Sequence, residues 1–210
     1  PHDWSIEADF SEKNPSGVGG GALPGGIGWY RKHFTVDKNE KYSRFFIDFD
    51  GVYMNSDVYL NGHLLGHRPY GYISFEYDMT PYIKRGGDNV IAVRVDNRDQ
   101  PNSRWYSGCG IYRHVYLVKT QNVRVAHWGT YISCNKVSET DAIVNIKVEL
   151  VTNESKAVKT SVSNSLMDAS GKVLERKDTT VMVAPSPSRT PLCQQMSVSR
   201  PILWSIDNPY

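Results

Sequence analysis

Between residues 96 and 110 the chain carries its densest set of groups able to address a polyhydroxylated ligand. The run is Asp96-Asn97-Arg98-Asp99-Gln100-Pro101-Asn102-Ser103-Arg104-Trp105-Tyr106-Ser107-Gly108-Cys109-Gly110. Carboxylates, carboxamides and guanidinium groups are planar and can each bridge two neighbouring hydroxyls. Trp and Tyr add flat apolar area with one polar tip, which suits the face of a sugar ring. The same side chains would also brace a long loop or a domain interface, and the residues alone leave both readings open.

Other patterns that could carry chemistry lack their context. Gly17-Val18-Gly19-Gly20-Gly21-Ala22 has the letters of a dinucleotide fingerprint. No strand precedes it, and Pro24 with further glycines stands where a phosphate-binding helix should begin. It reads as an exposed loop, Ser16 to Gly28, ahead of a strand at Trp29 to Phe34. Long irregular loops in compact domains are often functional. His63 and His67 have the spacing of a helical zinc pair, but they flank a hairpin, so surface histidines are expected. No G-x-S-x-G elbow occurs, and no cysteine has a convincing histidine partner. Cation-ligand spacing in the Asp-rich loops is not diagnostic. The expectation is therefore no metal, no cofactor and no catalytic residue within these 210 residues.

Composition narrows the class. The chain is 40% hydrophobic and 11% aromatic, enough to build buried cores. A formal charge of only +2, with no dense Lys/Arg run, argues against nucleic acid or a membrane surface as partner. No apolar stretch approaches the roughly 20 residues of a membrane span. The chain opens on Pro1 without an initiator Met, which suggests a piece of a longer protein whose targeting segment has been removed. Three cysteines, Cys109, Cys134 and Cys193, cannot all pair within one chain. Cys134 and Cys193 could bridge a sandwich, but small buried thiols are the preferred reading.

The elements that must position these groups read as strands. Arg44 to Phe49, Ser56 to Leu60, His63 to Leu65, Tyr72 to Tyr77, Val90 to Val95 and Ile111 to Val118 are β-rich runs. Asn61-Gly62 is a strong hairpin signal, because both residues tolerate positive φ. Val90 to Val95 is almost continuously apolar and should lie centrally in a sheet. Thr80 to Lys84, with Pro81 at its first position, reads as one helical turn. The texture changes near 120–122. After it come Val/Thr/Ser strands at Ala142 to Val151, Ala157 to Ser163, Lys172 to Glu175 and Thr179 to Ala184, separated by turns. This spacing suggests an immunoglobulin-like sandwich over 121–210.

At Arg104-Trp105-Tyr106-Ser107-Gly108-Cys109-Gly110-Ile111-Tyr112-Arg113 the chain resembles the R-W-Y-x-G-x-G-I-Y-R motif of glycoside hydrolase family 2. Four further segments agree in order: Pro1-His2-Asp3-Trp4; Gly28-Trp29-Tyr30-Arg31-Lys32; Val58-Tyr59-Leu60-Asn61-Gly62 with Leu65-Gly66-His67; and Asn89 to Asn97. His127-Trp128-Gly129-Thr130 and the ending Leu203 to Tyr210 resemble the family's second domain and its exit towards a barrel.

The resemblance implies an all-β chain: a jelly-roll sugar-binding-type domain over 1–120, then a smaller immunoglobulin-like β-sandwich over 121–210. It implies a retaining mechanism whose acid/base and nucleophile glutamates stand in a (β/α)8 barrel beyond this sequence. Asn-Glu occurs here only at Asn39-Glu40 and Asn153-Glu154, in turn-like surroundings that do not match the family's catalytic context. The expected function is the non-catalytic N-terminal part of an exo-glycosidase of β-galactosidase type. It would support the barrel and lend Asn97, Asp99, Arg104, Trp105 and Tyr106 to the rim of the sugar pocket. Expected partners are a β-galactoside or related glycoside and the barrel of the same chain, with the oligomeric state left open. A periplasmic or secreted location is favoured over the cytoplasm. An autonomous carbohydrate-binding module, or a structural or adhesive sandwich pair, are the alternatives.

Overall fold

The computed structural model of the protein describes residues 2–207 and Pro209. The expectations placed on Pro1, Asn208 and Tyr210 lie outside them. The chain divides into two compact units, Pro1–Thr120 and Gln121–Tyr210. Both are built from antiparallel strands, and helical structure among the described residues is confined to short 3-10 turns. The chain is all-β, a jelly-roll sandwich followed by an immunoglobulin-like one.

In the first unit a four-stranded sheet has the order β2 (Gly26–Thr35), β7 (Asp88–Asn97), β4 (Ser56–Leu60), β5 (His63–Arg68). A three-stranded sheet has the order β6 (Phe75–Asp78), β3 (Arg44–Phe49), β9 (Val115–Thr120). Their inner faces supply one core: Phe45, Ile47, Phe49 and Phe75 from the smaller sheet, and Val58, Leu60, Ile91, Val93 and Val95 from the larger. The rings of Phe49 and Phe75 stack 5.0 Å apart between them. Each such fully buried side chain contributes roughly 1.5–3 kcal/mol through the apolar area it removes from water.

Strand β7 is hydrogen-bonded on both sides, by β2 and β4, as its apolar run predicts. Asn61 and Gly62 join β4 to β5 with φ of 51° and 87°, the positive values that a two-residue hairpin demands. Thr80–Tyr82 forms a 3-10 turn with Pro81 near its start. Two strands are shorter than their patterns suggest. Tyr72, Ile73 and Ser74 do not join β6, and Tyr72 instead sets its ring 5.1 Å from that of Tyr53. Gly110–Ile111 (β8) separates from β9 and pairs with His2–Asp3 (β1).

The second unit packs β10 (Val123–Asn135), β11 (Asp141–Thr152) and β14 (Thr190–Ser199) as one sheet, in the order β10-β11-β14. The facing pair is β12 (Val158–Met167) and β13 (Val173–Val183). Alternate residues of β11, namely Val144, Ile146, Val148 and Leu150, meet Val183 and Met196 in its core. The stretches Lys172 to Glu175 and Thr179 to Ala184, which read as two strands, form the single strand β13. The three cysteines are free, and Cys109 is buried. Cys134 and Cys193 are exposed, so neither the bridge nor the buried thiol expected of them forms. Cys193 stands opposite Lys147 on the outward face, while Cys134, opposite Val144, lies on the other face at the β10 edge of the sheet, so the two thiols do not meet.

Candidate functional site

The motif segments at 2–4, 28–32 and 104–113 converge with the end of 89–97 on one corner of the first unit. Strand β1 pairs with β8 through His2 opposite Ile111 and Asp3 opposite Gly110. Tyr30 Oη donates to the His2 carbonyl at 2.6 Å, and burial pushes its pKa up to about 12. Tyr53 and Gly110 exchange backbone hydrogen bonds of 2.9 and 2.8 Å. Trp4 N–H donates to the Cys109 carbonyl at 3.1 Å, and its indole lies against Gly28, where an added Cβ would approach Nε1 to 2.5 Å. The motif residues thus tie the chain's start to the end of the 98–109 loop.

That loop leaves the buried end of β7 and is held from within. Asn97 is 3% exposed. Its Nδ2 donates to the Gly108 carbonyl at 3.1 Å and lies 2.8 Å from Cys109 Sγ. Asn102 Nδ2 donates to Asn97 Oδ1 at 2.7 Å. Ser107 Oγ donates to Asn102 Oδ1 at 3.4 Å and sits 2.8 Å from Ser103 Oγ, which in turn donates to the Trp105 carbonyl. This chain of bonds runs from a core strand to the backbone of Trp105, yet leaves the Trp105 side chain 63% exposed.

The residues singled out in sequence therefore separate into two groups. Asn97 is buried, while Tyr106 remains 38% exposed but has its hydroxyl tied down. Tyr106 Oη donates to Asp3 Oδ2 and touches Ser5 Oγ, which itself donates to Asp3 Oδ1 at 3.0 Å. Burial first, and the Asp3 carboxylate second, hold the Tyr106 phenol well above its ordinary range. Asp99, Arg104 and Trp105 are exposed on the same loop. Arg104 has no hydrogen bond or ion pair among the described residues, so its guanidinium is available for a ligand. At the loop's root Arg98 and Arg94 grip Asp96 at 2.9 and 2.7 Å, and Arg98 foremost pushes that carboxyl down to about 2.

The glycine-rich segment supports this loop. Its 3-10 turn at Val18–Gly20 packs on the loop backbone, with a Cβ at Gly19 falling 3.6 Å from Arg104 Cα. At Gly25 a Cβ would come within 2.5 Å of the Asn97 carbonyl, so only glycine fits. A void of about 10 Å³ remains between Ser16, Gly20 and Leu23 on one side and Asn97, Tyr106 and Cys109 on the other. It has room for about one water and none for a sugar ring. Sequence reasoning missed Asp3 and Ser5 as parts of the site; it singled out Ser16 to Gly28 as an irregular loop of the kind that is often functional, but not its contact with the 98–109 loop. Asp3-x-Ser5 is a local capping pattern that carries no sign of Tyr106.

Tyr106→Phe is expected to cost about 1 kcal/mol of stability, because the phenol's bond to an ionised acceptor is lost while the ring still packs. A thermal melt of the chain should fall by about 4 °C; an unchanged melt would show that the contact contributes nothing.

The other candidates resolve without a site. His63 stacks on Tyr82 at 4.4 Å, while His67 Nδ1 lies 2.7 Å from Asp57 Oδ1. Among the described residues no group of three or more His, Cys, Asp or Glu side chains is placed to hold a metal ion. No helix among them is long and apolar enough to cross a membrane. Glu40 pairs with Lys119 at 2.6 Å, which holds its carboxyl below the usual range, and Glu154 accepts from Asn122 at 2.6 Å.

Comparison with known proteins places both units. Residues 22–121 match the family described as glycosyl hydrolases family 2, sugar binding domain, and residues 123–210 match glycosyl hydrolases family 2. The β-galactosidase BoGH2A of Bacteroides ovatus is 54% identical over 211 residues, which span 100% of this chain and 25% of that protein. A β-glucuronidase of Formosa agariphila is 29% identical over 88% of this chain and 21% of its own length. A crystal structure of a glycosyl hydrolase family 2 member from Bacteroides cellulosilyticus superposes with a TM-score of 0.93 at 37% identity, over 100% of this chain and 28% of that one. The chain thus spans about a quarter of the relatives it matches.

Proposed function

This chain belongs to glycoside hydrolase family 2, and on that footing we propose that it is the N-terminal, non-catalytic region of a retaining exo-glycosidase of β-galactosidase type. The observation that carries the reading is the braced loop that displays Trp105, Asp99 and Arg104 to solvent. A side chain offered for binding must be held in place beforehand, or its ordering entropy is lost from the affinity. The hydrogen-bond chain from Asn97 to Trp105 does this in advance.

In the proposed enzyme two glutamates outside this chain act as acid/base and nucleophile. The loop's part is to position substrate. The Trp105 indole offers an apolar face to a pyranose ring, while Arg104 and Asp99 address its hydroxyls as donor and acceptor. Asn97 and Tyr106 hold the loop and do not touch sugar. The two Asn-Glu pairs of this chain carry no chemistry in this reading, since Glu40 is engaged by Lys119 and Glu154 by Asn122. The choice of a β-galactoside rests on the similarity to BoGH2A, the most identical of the relatives compared above.

The test is hydrolysis by the longer protein that carries this chain. It should release p-nitrophenol from p-nitrophenyl β-galactoside faster than from the β-glucuronide. NMR of the first-formed sugar should show retained anomeric configuration. No release from any β-glycoside, or inversion at the anomeric carbon, would contradict the reading.

A further inference from the structure

The outer face of the β2-β7-β4-β5 sheet carries a second arrangement suited to carbohydrate, away from the 98–109 loop. On β2, Trp29 is 50% exposed although it lies in the middle of a regular strand. Its ring lies 6.0 Å from that of Tyr59 on β4, at an interplanar angle of 29°. The two reach towards each other across β7, whose outward side chains along this stretch are Val90, Ala92 and Arg94, with Arg94 opposite Trp29 and held by Asp57 and Asp96. Beside Arg94, the small Val90 and Ala92 of the middle strand, flanked by larger residues, leave a trough of about 480 Å³. That lies within the range of about 300–1,000 Å³ typical of small-molecule sites.

The rim of the trough is polar and cationic. Arg31 lies 5.7 Å from the Trp29 ring centre, and Lys84, Asn61 and Gly62 complete the border. Neither Arg31 nor Lys84 has a carboxylate partner among the described residues. The acids nearest on this face are already engaged: Asp57 by Arg94 and His67, and Asp88 by His33. An apolar floor, an aromatic wall and two unneutralised cations favour a ligand that combines a flat apolar ring face with a negative charge. Core packing does not account for an outward Trp, and a solvated face does not call for one.

We propose that this trough is a surface site for oligosaccharides bearing carboxylates, with a sugar ring against Trp29 and Tyr59 and a uronate carboxylate held by Arg31 and Lys84. The proposal rests on the carbohydrate reading above but not on the 98–109 loop. Such a site would hold an acidic glycan strand on the protein without taking part in bond cleavage.

The experiment is a calorimetric titration of the 210-residue chain with two matched probes. One is a β-linked glucuronate trisaccharide and the other is the same trisaccharide of glucose. The uronate probe should bind saturably, about tenfold more tightly than the neutral one, and the preference should shrink as salt is raised. Trp29→Ala should weaken both probes by about tenfold, the loss of one aromatic contact. Arg31→Gln, at an exposed position that the fold does not need, should remove most of the preference for the uronate while sparing the neutral probe. Equal binding of the two probes would overturn the proposal. So would binding that both variants leave unchanged, an absence of binding, or a dimer in sedimentation that Trp29→Ala disperses. A longer protein without glycosidase activity would undo the proposed function but leave this titration as predicted, so the two failures are distinguishable.

Discussion

Replacing Gly110 with alanine is expected to unfold the first unit. Gly110 has φ of +120°, a backbone region open almost only to glycine, and forcing another residue there costs about 1–3 kcal/mol. An added Cβ would also lie 1.9 Å from Tyr30 Oη and 2.9 Å from the His2 carbonyl. Relieving that overlap breaks the hydrogen bond between Tyr30 and His2 and pushes β1 off β8. Overpacking of this kind costs a further 1–3 kcal/mol or so. The total of about 4 kcal/mol is a large part of the roughly 5–15 kcal/mol that stabilises a typical domain. A thermal melt of the Gly110→Ala chain should show the transition of residues 1–120 lowered by about 15 °C or lost, with that of residues 121–210 unchanged. A melt within a degree or two of the unaltered chain would refute this account of the motif.

Asn89→Ala is expected to cost about 3 kcal/mol. Asn89 is fully buried at the start of β7. Its Oδ1 accepts from Lys84 N–H at 2.8 Å and from Asn61 Nδ2 at 3.0 Å. Its Nδ2 donates to the carbonyls of Lys84 at 2.9 Å and Gly87 at 3.3 Å. Asn61 in turn accepts from Val90 N–H at 2.9 Å. One carboxamide thus closes the 84–89 turn and fixes the β4-β5 hairpin to it. Alanine would leave four polar groups without their partner, and each buried unsatisfied group costs about 1–3 kcal/mol where water cannot reach it. Urea titration should show a lowered midpoint with an unchanged slope. A loss below about 1 kcal/mol would mean that water replaces the amide, against its complete burial.

These two residues mark what could be read before the structure. Strand β7, the Asn61-Gly62 hairpin and the division of texture near residue 120 are legible because they rest on local rules: alternation, positive φ and turn chemistry. Gly110 and Asn89 could be seen to belong to motifs, but not why. A decisive partner of each lies far along the chain, Tyr30 for Gly110 and Asn61 for Asn89. The same holds for the site. Asp99, Arg104 and Trp105 stand exposed on a chemically dense loop, as their types suggested. Asn97 and Tyr106 stand in the same stretch, but burial sets Asn97 apart, and only the bonds of its hydroxyl to Asp3 and Ser5 set Tyr106 apart. Tyr106 answers to Asp3, 103 residues away. The glycine-rich segment was legible as an irregular loop. That its glycines let it lie against the 98–109 loop depends on contacts no local pattern encodes. The shorter β6 and the merged β13 have a similar origin, since pairing partners decide where a strand ends.

The most direct test of the central claim is steady-state kinetics of the longer protein with Arg104 replaced. If the displayed loop forms the rim of the sugar pocket, Arg104→Ala should lower kcat/KM for p-nitrophenyl β-galactoside by about tenfold to a hundredfold, equivalent to about 1.4–2.7 kcal/mol of lost transition-state binding. Its melting temperature should not change, because the side chain is exposed and has no partner among the described residues. Unchanged kcat/KM in a folded Arg104→Ala protein would contradict the claim and return the loop to a purely structural role.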